Sequence, residues 1–252
     1  MAELPRNNPK QALLSAVVAG ALALGFAGML AKSCGAPVKQ QSAPANQALE
    51  MVDSLASRLV LGLESDTTLQ YAAPSGAIIT VSQSAPRRAY RSAGVTYIST
   101  PDGTFLCTTG PAPSPAKGRK PTAPPVTCQE GPGADTMSPS QAKAISAAFG
   151  GEFLPPEAAL GRLATIAQGE GVRAGASKRG DAQCVSVTAT GIRTETACVS
   201  PAGLLAYFEG TTDAGKATQL ILQYTTPSVS DEAFLPPQAG AAAAASAAAA
   251  KK

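Results

Sequence analysis

Between Ala182 and Glu209 the chain reads AQCVSVTATGIRTETACVSPAGLLAYFE, and this stretch constrains the fold more than any other. Val185 and Val187 alternate with Ser186 and Thr188. Thr190-Gly191 interrupts the run, Thr194 to Val199 resumes it, and Pro201-Ala202-Gly203 interrupts it again before Leu204 to Phe208. Alternating β-branched residues punctuated by Gly and Pro predict an antiparallel meander of three short strands. Cys184 and Cys198 fall on the first two of these strands, where they can face each other across the turn.

That pair belongs to a set of four in the body of the chain, Cys107, Cys128, Cys184 and Cys198, with a fifth at Cys34. Of the three connectivities open to four cysteines, the two local pairs 107–128 and 184–198 are the simplest. Four buried thiols are the alternative. Each bridge would stabilise by about 3 kcal/mol through the loop it closes. Disulfides imply an oxidising compartment. With no C-x₂-C pair present, zinc is not expected.

The route out of the cytoplasm is written upstream. Residues 1–11 are polar and carry Arg6 and Lys10, a cytoplasmic tip. Ala12 to Ala31, ALLSAVVAGALALGFAGMLA, follows without a single charge. A helix of that length spans roughly 30 Å, the hydrocarbon thickness of a bilayer. Secretory apolar cores run only to about 7–15 residues, which favours an uncleaved transmembrane anchor. The other tether is a lipoprotein signal cleaved before Cys34, whose thiol would then be lipidated. Ser33 suits such a site, Lys32 does not, and Leu30 lies one place too early. Both readings put the body on the extracytoplasmic side of the cell membrane. Residues 32–44 form a Pro/Gln/Ser/Ala linker.

The body, 45–238, is large enough for one ordinary core. Ala48, Val52, Leu55 and Leu59 fall on one stripe of an amphipathic helix. Strand-like alternation follows at Leu69 and Tyr71 and at Ile79 and Val81. Arg87, Arg88 and Arg91, with Tyr90 among them, read as a solvated strand face, with contact to a phosphate or anionic headgroup as the alternative. Val95 and Tyr97 lead through Pro101-Asp102-Gly103 to Phe105 and Cys107, the clearest hairpin in the chain. Residues 110–126, GPAPSPAKGRKPTAPPV, form a Pro-rich loop that a 107–128 bridge would tie at its base. Ser138-Pro139-Ser140-Gln141 supplies a capping box for one helix, and Pro155-Pro156-Glu157 opens a second. A late strand from Ala217 to Thr225 places Leu220, Leu222 and Tyr224 on one face, and 239–252 is a low-complexity tail.

Little chemistry is announced. The sequence has no His, the commonest general base and metal ligand, and no nucleophile elbow, phosphate loop or metalloprotease motif. An enzyme is therefore not expected, and neither is a cofactor. The formal charge of +3 is concentrated at the ends, which leaves fourteen basic against sixteen acidic groups between them. A body this close to neutral argues against nucleic acid as a partner.

The order of elements resembles the lipoprotein-carrier (LolA-like) half-barrel family, which includes the LppX/LprG type of exported lipoprotein. The similar features are the N-terminal helix near 45–60, the hairpin with PDGTFLC, and the run LILQYTTPSVSDEAFLPP. The resemblance implies an α+β fold, a curved antiparallel sheet with helices on its concave side. It also implies a hydrophobic cavity for lipid acyl chains, and a function as carrier or sensor. A cell-envelope interaction domain with no small ligand is the alternative. Alternating strand positions and Ala-rich helix faces offer Val52, Leu55, Ile79, Val81, Val187, Leu222 and Tyr224 as cavity lining, although each serves equally as plain core.

Overall fold

A computed structural model of the chain describes residues 43–111, 124–212 and 215–237. The membrane or signal segment 12–31, Cys34, most of the Pro-rich loop and the 239–252 tail lie outside the described residues. Among the described residues, no helix is long and apolar enough to cross a membrane.

The described chain is α+β. Helix α1 (Ala43–Leu63) precedes strands β1 (Thr67–Ala72), β2 (Ile78–Ser84), β3 (Arg87–Ser92), β4 (Val95–Ser99), β5 (Thr104–Thr109) and β6 (Val126–Gly131). Helices α2 (Pro139–Ala148) and α3 (Pro156–Ala167) come next. Strands β7 (Arg173–Arg179), β8 (Ala182–Ala189), β9 (Ile192–Val199), β10 (Leu205–Thr211) and β11 (Ala217–Thr226) complete the sheet, and a 3₁₀ turn at Asp231–Phe234 follows. All eleven strands join one curved antiparallel sheet in the order β6-β5-β4-β3-β2-β1-β11-β10-β9-β8-β7. The first meander thus runs from β1 in the middle outward to the β6 edge, the second runs from the β7 edge inward to β11, and the two join where the first strand pairs with the last. The two helices between β6 and β7 carry the chain from one edge of the sheet to the other.

Period-2 alternation sorts the strand residues onto two faces. The helix side takes Leu69 and Tyr71, Ile79 and Val81, Tyr90, Val185 and Val187, Ala197 and Val199, and Phe208 and Leu220. These pack against the α1 stripe of Ala48, Val52, Leu55 and Leu59, all buried as their spacing predicts. Helix α3 adds Leu160, Leu163 and Ala167. Helix α2 has the expected capping box: the Ser138 hydroxyl accepts from the Gln141 amide, and the Gln141 side chain accepts from the Ser138 amide. Helix α1 begins at Ala43, two residues inside the stretch read as linker.

Both local disulfides are present, Cys107–Cys128 between β5 and β6 and Cys184–Cys198 between β8 and β9. Each joins residues directly opposite in the ladder, with Cα atoms 4.0 and 3.9 Å apart. Both lie on the outer face, away from the helices. The Cys184–Cys198 bridge continues there as a row of cross-strand hydroxyl pairs, Ser186 with Thr196 at 2.8 Å and Thr188 with Thr194 at 2.7 Å.

Two expectations are corrected. The arginines of β3 are not a solvated face. Arg87 donates to Asp231 at 2.7 Å and lies 4.4 Å above the Phe234 ring. Arg91 donates to the carbonyls of Ala233 at 2.8 Å and Leu235 at 3.1 Å, and Arg88, on the opposite face, pairs with Glu157 at the start of α3. All three cations are engaged by the protein itself. These carboxylate and carbonyl partners lie 69 or more residues away in sequence, beyond any local pattern, although Arg87 also donates to the nearby Ser84 hydroxyl at 3.3 Å. The second correction concerns Tyr224. A bulge between Gln70 and Tyr71 sets Leu222 opposite Tyr71 but Tyr224 opposite Gln70. The extra residue, Gln223, reverses the alternation, so Tyr224 leaves the face of Leu220 and Leu222 and is 57% exposed.

Candidate functional site

Helix α1 crosses the helix side of β7, β8 and β9 at the edge of the sheet. It follows the core through Val52 and Leu55 and turns Gln47, Glu50 and Ser54 away from it. On β7 the residues pointing toward α1 are Ala174, Ala176 and Lys178, opposite Val187, Val185 and Gln183. The two alanines are too small to fill the space below the helix. A cleft of about 590 Å³ results, with Met51, Leu55, Ala176 and Val185 as its apolar wall and Glu50 and Lys178 among its polar groups. A second cleft of about 370 Å³ lies beside it, lined by Pro44, Ala48, Val172 and Ala174, with Arg173 at its margin. Gln47 borders both. Among the described residues, neither Glu50 nor Lys178 has an ion-pair partner.

Of the residues read as cavity lining, only Leu55 borders either cleft. Val52, Ile79, Val81 and Val187 are buried in the helix–sheet core, and Leu222 is half-buried against it. Beneath the helices that core is filled with large side chains: Tyr71, Tyr90, Phe153 and Phe208 are all fully buried. Tyr71 donates to the Leu205 carbonyl at 2.8 Å. Burial, with the Glu157 carboxylate as the next cause, raises the Tyr71 and Tyr90 hydroxyls well above the usual phenol range. Both therefore stay neutral, and Tyr71 serves as a fixed donor.

Helix α3 is locked in place by Arg162. Its guanidinium reaches the Glu195 carboxylate of β9 through two nitrogens, Nε at 2.7 and 3.0 Å and Nη2 at 2.7 Å. The Thr211 amide donates to the same carboxylate at 3.1 Å. This pair anchors a helix rather than offering a reactive centre, since its acceptor is buried and fully engaged.

The clefts were not legible because Ala174, Ala176 and Val185 sit in runs with no unusual composition. The one local signal is Met51 beside the α1 stripe. The sequence matches no protein-family model and none of the curated proteins compared with it. Fold and site define an α+β domain with a disulfide-stapled antiparallel sheet and an open cleft beneath its first helix.

Proposed function

We propose that the chain is a membrane-tethered extracytoplasmic domain that binds a hydrophobic or amphipathic ligand, such as a lipid acyl chain, as a carrier or sensor. The observation that carries this reading is the α1–β7–β8 cleft. Its volume of about 590 Å³ lies within the range of small-molecule sites, roughly 300–1,000 Å³. Met51, Leu55 and Val185 offer an apolar wall for a chain, and Glu50 and Lys178, which have no ion-pair partner among the described residues, offer charges to a headgroup. The two disulfides fit an oxidising compartment, and the uncharged run Ala12 to Ala31 fits a tether. No catalytic step is part of this reading.

A second reading, an interaction domain of the cell envelope with no small ligand, is favoured by one observation. The space a deep cavity would need is occupied by Tyr71, Tyr90, Phe153 and Phe208. Native mass spectrometry of the full chain with co-extracted lipids decides between them. The ligand reading expects a bound lipid that is lost in Met51→Arg. A lipid-free spectrum that added phospholipid leaves unchanged favours the second.

A further inference from the structure

We propose that β7 is a docking strand for an extended, acidic peptide segment of a partner protein, which adds to the sheet as a twelfth strand. Among the described residues β7 ends the strand order and pairs only with β8, which leaves one row of its backbone N–H and C=O groups for a partner. Six of its seven residues are exposed. Helix α1 passes over one face of it without a backbone hydrogen bond to it. At Gly175, midway along the strand, a side-chain carbon would meet nothing within 4 Å.

Side-chain recognition is available beside this edge. The helix-side residues Ala174 and Ala176 each border one of the two clefts, and they are two residues apart. A spacing of two residues, roughly 7 Å, is the interval at which an added strand presents successive side chains to one face. Strand addition draws affinity from the main chain and specificity from such alternate pockets.

Charge selects the partner. Arg173, Lys178 and Arg179 are the charged residues of β7, and none is acidic. Arg179 is held over the Tyr207 ring at 3.9 Å, whereas Arg173 and Lys178 make no ion pair among the described residues. Basic residues on an edge also blunt self-association. Antiparallel pairing of two β7 strands about Ala176 would set Arg173 against Arg179 at both ends, so a second copy is disfavoured and an acidic segment favoured. The opposite edge, β6, has Glu130 as its only charged residue and borders neither cleft.

The test uses the full chain and a fluorescent octapeptide alternating Val and Glu. Saturable binding is expected, about tenfold tighter than for a Val–Lys octapeptide. The Arg173→Glu/Lys178→Glu variant should reverse that preference, which also shows that the variant is folded. Hydrogen exchange should slow at residues 173–179 when the Val–Glu peptide is added. Methylating backbone nitrogens on one alternate set of peptide residues should abolish binding, while methylating the other set should not. Equal binding of the two peptides, binding without protection of β7, or no saturable binding would each overturn the proposal.

Discussion

Arg162→Ala lowers the stability of the domain by about 3–5 kcal/mol in urea unfolding, the cost of removing one partner from a buried ion pair. Glu195 sits on the helix side of β9 with no solvent exposure at all. Without the guanidinium its carboxylate keeps only the Thr211 amide, in surroundings that disfavour an isolated charge. The Arg162 side chain is 25% exposed, so water can enter the vacated space, and the expected value lies toward the lower end. Replacing both residues by Leu should cost less than Arg162→Ala alone, because no charge is then left buried. A loss below about 1 kcal/mol for Arg162→Ala would mean that the bidentate contact does not hold α3 to the sheet.

Gly203→Ala is expected to cost a similar amount, about 3–5 kcal/mol, for a different reason. Gly203 has φ +77°, which penalises an L side chain by about 1–2 kcal/mol. It also lies against the last turn of α1. An added carbon would be 2.4 Å from the Arg58 carbonyl oxygen and 2.5 Å from the Gly62 nitrogen. Reciprocally, a carbon on Gly62 would be 2.1 Å from the Gly203 oxygen. Helix and turn meet backbone to backbone, so the clash cannot be relieved by a rotamer change. Gly76→Ala separates the two causes: its φ is +83° but nothing lies within 4 Å, so only the conformational cost of about 1–2 kcal/mol should appear. Equal losses at the two positions would show that the close approach of α1 to the β9–β10 turn contributes nothing.

What could be read from the residues was whatever depended on neighbours in sequence. The meander 182–209 was legible because Val185, Val187 and the turns at Gly191 and Gly203 all lie within thirty residues. The α1 stripe, the Ser138–Gln141 box and the two disulfides were legible for the same reason. Strand β7 was not. RAGASKR has no β-branched residue and no alternation, and it is a strand because its backbone pairs with β8 along all seven positions. Arg87, Arg88 and Arg91 looked solvated because Asp231, Glu157 and the carbonyls of 233 and 235 come together with them only in the folded chain. Tyr224 was misplaced by a single bulge residue. The cleft had no signature of its own, since it arises where a helix passes over small side chains at a sheet edge.

The claim that this cleft receives a hydrophobic chain is tested most directly by photo-cross-linking the full chain with a diazirine-bearing fatty acid and mapping the adducts within residues 43–237. The account predicts adducts on Met51 or Leu55 of α1 and on Val185 of β8, reduced by competing phospholipid. Adducts confined to the outer face, near Ile78 and Tyr224, or none in this range, would contradict it.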